Sequence, residues 1–154
     1  MGLSQIRLVF SEANKILFGS DVTLNEQGTG SLELKEDWLP SIKFCYLKVS
    51  DELLIFAECG QIPVEKQLDM FKDLLCRQFL FEESRGIEYA LAPFNEALVV
   101  QYKLPVINLD ANRLIDVLVD FIQAVSKVRL KIIDRAEEEM ISKTEEFLTV
   151  QQLA

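Results

Sequence analysis

Hydrophobic and polar positions change rhythm several times along this chain. Residues 3–18 place Leu3, Ile6, Phe10, Ala13 and Leu17 at alternating spacings of three and four, one face of an α-helix, with Val9 and Ile16 widening the stripe. Gly19 supplies a helix stop. The period then drops to two. Val22 and Leu24 alternate with Asp21 and Thr23, Asn25-Glu26-Gln27-Gly28 turns the chain, and Leu32 and Leu34 alternate with Ser31, Glu33 and Lys35. This predicts two half-buried antiparallel strands. Segment 41–49 alternates again through Ile42, Phe44 and Tyr46, and the apolar run Leu53–Ala57, bounded by Gly60 and Pro63, reads as a central strand.

Pro63 opens a second helix over 64–81, with Val64, Leu68, Phe71, Leu75 and Phe79 as one stripe and Leu74 and Leu80 beside it. Tyr89–Leu91 and Ala97–Tyr102 form a hairpin around Pro93-Phe94-Asn95-Glu96, and Pro105 stops the last strand. Asp110 is an N-cap for a long helix from 111, whose core stripe is Leu114, Val117, Leu118, Phe121, Val125 and Val128. From Asp134 the pattern becomes acidic, with Glu137-Glu138-Glu139 and Glu145-Glu146, while Met140, Phe147 and Leu148 keep it amphipathic. Segment by segment the order is α-β-β-β-β-α-β-β-α. That predicts an α+β domain over 1–133, a twisted antiparallel sheet with helices on one side, followed by a helical extension over 134–154.

Composition narrows the chemistry. The chain of 154 residues has no histidine, so triads, Cys-His pairs, imidazole bases and His-ligated zinc are excluded. Its formal charge of −9 argues against nucleic acid and anionic membrane surfaces. Gly28-Thr29-Gly30 sits in a hairpin and reads as a tight turn, not a nucleotide loop, and the Glu runs read as solvated faces. Cys45, Cys59 and Cys76 lack metal-ligand spacing and lie among apolar neighbours, which predicts free thiols buried as small hydrophobes. Cys59, near the start of the second helix, is the one candidate for a thiol activity. No cofactor, metal or catalytic residue is expected. No signal peptide or membrane span is apparent, so the chain reads as cytosolic. The first two helices carry more apolar groups than one stripe can bury, which points to a subunit interface or partner groove.

Local features resemble the class I type III secretion chaperones along residues 3–133. Leu24-Asn25-Glu26 leading to Gly30-Ser31-Leu32 is similar to that family's first hairpin. Phe56-Ala57-Glu58-Cys59-Gly60-Gln61-Ile62-Pro63 is similar to the strand, glycine and proline before its dimerisation helix. Leu74–Phe81 followed by Arg85-Gly86 is similar to that helix and its exit, and Ala97–Val100 closing at Leu104-Pro105 to its last strand. The resemblance implies the order α-β-β-β-α-β-β-α, the extra strand above depending on how 41–57 is divided.

It also implies a homodimer in the cytoplasm of a Gram-negative bacterium. Such a dimer holds the N-terminal segment of one or several secreted effectors extended and secretion-competent without ATP. By that analogy effector contacts fall on Leu3, Ile6, Phe10, Val22, Leu24, Leu34, Phe44 and Tyr46, some of which must also serve the core. The dimer contact falls on Leu68, Phe71, Leu75, Phe79 and Val99. The charge of −9 keeps such a dimer soluble and favours basic partners. A dimeric adaptor for a folded partner is the alternative, and docking of the extension to a secretion ATPase stays open.

Overall fold

The computed structural model describes residues 2–16 and 22–133. Helix α1 spans Leu3–Ile16, and strands β1 (Thr29–Leu32), β2 (Ile42–Leu47) and β3 (Glu52–Gly60) follow. Helix α2 (Val64–Gln78) continues into one 3₁₀ turn, Phe79–Phe81, before strands β4 (Glu88–Leu91) and β5 (Leu98–Pro105) and helix α3 (Ala111–Ile133). The order is α-β-β-β-α-β-β-α, an α+β fold. The five strands form one sheet in the order β1-β2-β3-β5-β4, antiparallel throughout.

Strand β3 is the middle strand of the five, and its period-two burial sets the layer structure. Leu53, Ile55, Ala57 and Cys59 are buried on one face, against half-buried Leu54, Phe56 and Glu58 on the other. Onto the buried face α1 brings Ile6, Val9, Phe10 and Ala13, and α3 brings Leu114, Leu118, Phe121 and Val125. Phe10 and Phe44 meet edge to face with centroids 5.0 Å apart, a preferred aromatic geometry. Asp110 caps α3 through its Oδ1, which accepts from the Arg113 N–H at 2.8 Å.

The extra strand expected over Val22–Leu24 does not form. Both side chains are buried, but the Val22 backbone and the Leu24 carbonyl are bound by side chains of α1 and not by a neighbouring strand. Asn14 Nδ2 donates to the Val22 carbonyl at 2.7 Å, the Val22 N–H donates to Asn14 Oδ1 at 3.1 Å, and Arg7 Nε donates to the Leu24 carbonyl. Leu34 likewise lies beyond the end of β1. Segment 41–57 divides cleanly into two strands, so the surplus arises at residues 22–24. The second helix also ends sooner than its pattern predicts, at Gln78, because Leu80 and Phe81 adopt left-handed φ of 55°. Leu17, Gly19 and the 134–154 extension lie outside the described residues.

Candidate functional site

Helix α2 meets the rest of the chain along a narrow line. Met70 and Leu74, one turn apart, are its buried residues. The broad stripe of its sequence points elsewhere: Leu68, Leu75 and Phe79 are 67%, 66% and 71% exposed, and Phe71 is half-buried against the core. Val64 at the start of the helix continues this face, and Leu80, past the helix end, is exposed as well. Val99, also expected at the dimer contact, sits in β5 on the helix-free face of the sheet, opposite to Leu98 and Val100. It pairs with Ala90 of β4, the edge strand that α2 touches where Gln78 Oε1 accepts from the Tyr89 N–H at 2.8 Å. Four of the five residues thus share one helical face, and Val99 lies beside it on a different surface.

The residues expected to bind an effector separate into two groups. Ile6, Phe10, Val22, Leu24 and Phe44 are buried inside the protomer. Leu3, Leu34 and Tyr46 are partly exposed. Gly28 joins two of these: a Cβ there would lie 3.0 Å from Tyr46 Cβ and 3.6 Å from a Leu3 methyl. Its φ of +82° and this close approach both call for glycine. Tyr46 is fixed by a 2.6 Å hydrogen bond from its hydroxyl to Asp51 Oδ1, which holds the phenol above its usual titration range. Leu8 and Ile16 add exposed apolar surface on α1. Helical phase in the sequence already sets Val9 on the inner stripe and leaves Leu8 off it, whereas Ile16, expected to widen that stripe, is exposed.

Strand β1 is one edge of the sheet. The Thr29 N–H and C=O are already taken by Asn25, at 3.0 and 2.8 Å. Because Gly28 accepts from Tyr46 across the ladder, antiparallel alternation turns the Ser31 backbone groups outward, where another strand could pair.

Cys45 is half-buried, Cys59 is buried and Cys76 is exposed, which corrects the expectation that all three thiols are core groups. Loss of hydration pushes the Cys59 thiol up to about 12, against a smaller opposing pull from Arg129, so its thiolate is suppressed at neutral pH. Among the described residues no cluster of Cys, Asp and Glu converges as a metal ion requires. Nor is any described helix long and apolar enough to cross a membrane.

No curated protein matches the chain significantly in sequence. Solved structures match its fold. A chain of the ExsC–ExsE complex superposes with a TM-score of 0.67 at 15% identity, covering 84% of this chain and 95% of that one. A chain of the HopA1–SchA chaperone–effector complex gives 0.68 at 11% identity, covering 84% and 98%. The heterodimeric ExoU–SpcU complex from the type III secretion system of Pseudomonas aeruginosa contributes a chain at 0.65 and 16% identity, covering 84% and 99%. At the level of sequence pattern, residues 10–129 match the model of the Tir chaperone protein (CesT) family, and the chain belongs to that family.

Proposed function

We propose that two copies of this chain pair through the outer face of α2, and that the pair is a cytoplasmic, non-enzymatic chaperone for type III secreted effectors. Membership of a chaperone family supports the role. One neighbour in fold, SchA with HopA1, is a chaperone–effector complex. The observation that carries the pairing is the exposed line Leu68, Leu75 and Phe79, a stripe that a lone protomer leaves in water. Each such side chain gains about 1.5–3 kcal/mol on full burial, and a two-fold contact counts every one twice.

The effector's N-terminal segment then lies across the other end of the sheet. Leu3, Leu34 and Tyr46, with Leu8 and Ile16 on α1, offer apolar seats, and the Ser31 edge of β1 accepts an added strand. A segment held in this way is extended, and nothing in the binding calls for ATP.

Light scattering coupled to size exclusion tests the pairing. The wild type is expected at twice the 17.6 kDa chain mass. Leu75→Asp, which places a charge on each side of the two-fold contact, is expected to run as a folded monomer. Leu75 is the better choice over Phe71, because Phe71 also packs on the protomer core. A monomeric wild type, or a Leu75→Asp dimer of unchanged affinity, would overturn the pairing through α2. Capture of an effector N-terminal segment by the wild type, reduced tenfold or more by Tyr46→Asp, tests the binding surface.

A further inference from the structure

A groove of about 530 Å³ lies between α3, the last turn of α2 and the loop over residues 82–87. Its α3 wall runs from Arg113 to Lys131, a length of about 27 Å at the helical rise per residue. The floor is apolar, with Leu74, Ile87, Val117 and Phe121 among its lining.

The rim is cationic, although the chain as a whole carries −9. Arg77 and Lys131 share one carboxylate, that of Asp73, at 3.1 and 2.8 Å. Arg77 also stands 3.9 Å from Glu83, and Arg85 stands 3.8 Å from Asp120. The side chains of Arg113 and Lys127 have no partner among the described residues. Among those residues, five cations therefore face three carboxylates. A second, independent feature points the same way: Ser84, which lines the groove, is 8% exposed and its Oγ has no hydrogen-bond partner among the described residues. A buried hydroxyl without a partner calls for one, and an anionic oxygen is a strong acceptor for its proton.

We propose that this groove docks an acidic peptide segment of a partner protein. Carboxylates would meet Arg113, Lys127 and the Ser84 hydroxyl, and apolar side chains would fill the floor between them. The length and the apolar floor suit a peptide with apolar side chains better than a small anion or a phosphate backbone. Leu74 and Arg77 leave α2 on a different side from Leu68 and Leu75, so the proposal stands independently of the pairing of α2.

The test uses the full chain and a fluorescein-labelled twelve-residue peptide repeating Glu-Glu-Phe-Leu, with a Lys-Lys-Phe-Leu repeat as control, read by fluorescence anisotropy. The acidic peptide is expected to bind, with affinity falling at least tenfold in the double variant Arg113→Glu/Lys127→Glu and falling again as salt is raised. Arg113→Gln/Lys127→Gln, milder changes at two exposed positions, should give a smaller loss with an unchanged melting temperature. Ser84→Ala should lower affinity several-fold. Leu75→Asp should leave it unaltered. Absence of binding, equal binding of the basic peptide, or indifference to the charge reversal would overturn the proposal. So would binding that emerges only in Glu137→Gln/Glu138→Gln/Glu139→Gln, because the groove would then belong to the chain's own acidic run.

Discussion

Cys76 and Cys59 show how far a residue's sequence neighbours mislead about its surroundings. Cys76 follows Leu74-Leu75, yet each helical step turns about 100°, so Leu74 is buried while Cys76 faces water. Cys59 is held in β3 beside Arg129, whose guanidinium donates to the Cys59 carbonyl at 2.9 Å and to the Trp38 carbonyl at 3.0 Å. These contacts join residues far apart in the chain, and no local pattern announces them. At pH 8 Cys76 is therefore expected to react promptly with a thiol reagent, and Cys59 only after unfolding. The raised Cys59 pKa also has a stability consequence. Below the ordinary cysteine value near 8.5 the thiol is protonated in both folded and unfolded chains, and the stabilisation is complete. Between there and about 12 only the unfolded chain ionises, so stability falls as pH rises. Denaturant titrations from pH 8 to 10.5 should show a loss of about 1 kcal/mol per pH unit in the wild type that Cys59→Ala lacks. Identical slopes would remove Cys59 as the cause.

Among the elements, those with both edges paired or one face fully buried were the most legible. The apolar run of β3, the Pro63 start of α2 and the Asp110 cap of α3 each carry a local signal that the tertiary structure reinforces. Residues 22–32 did not read so easily. Val22 and Leu24 have the period of a strand, but side chains from α1 compete for their backbone, and that competition is invisible to periodicity. The segment still runs very close to β1: a Cβ on Gly30 would stand 2.5 Å from the Thr23 carbonyl oxygen, a backbone atom with little room to yield. Gly30→Ala is accordingly expected to destabilise the protein by about 1–3 kcal/mol, the usual scale for overpacking. In a chain of this size that lowers the melting temperature by roughly 3–10 °C in calorimetry. An unshifted transition would mean that residues 22–25 move aside freely.

On the scale of the whole molecule, the stripe of Leu68, Phe71, Leu75 and Phe79 was legible as one helical face, but not whether that face is core or surface. A core stripe and an interface stripe carry the same residues, and only the packed protomer shows that α2 commits Met70 and Leu74 to its own core and leaves Leu68, Leu75 and Phe79 outside. With so little of α2 buried, its orientation depends on polar ties to α3. Asp73 accepts from Lys131 Nζ and from Arg77, and Lys66 Nζ reaches the Lys131 carbonyl at 3.4 Å. The hydrogen bond from Lys131 is the chief reason the Asp73 carboxyl titrates below its usual range, helped by the attraction of both cations and opposed by partial burial. A depressed carboxylate stabilises the fold above its unfolded pKa near 4, and that contribution is lost as pH falls through the lower folded value. Asp73 is partly exposed, so the tie is worth no more than about 1 kcal/mol. Pairing through α2 would make that small term visible in assembly, because a loosened α2 presents its apolar face less well. Asp73→Asn is expected to weaken the dimer about three- to fivefold at pH 7 in sedimentation equilibrium. As pH is lowered below 4 the wild type should converge on the variant, since a protonated Asp73 carboxyl is as uncharged as the amide that replaces it. Equal dimer affinities at pH 7 would show that α2 is oriented by Met70, Leu74 and Gln78 alone.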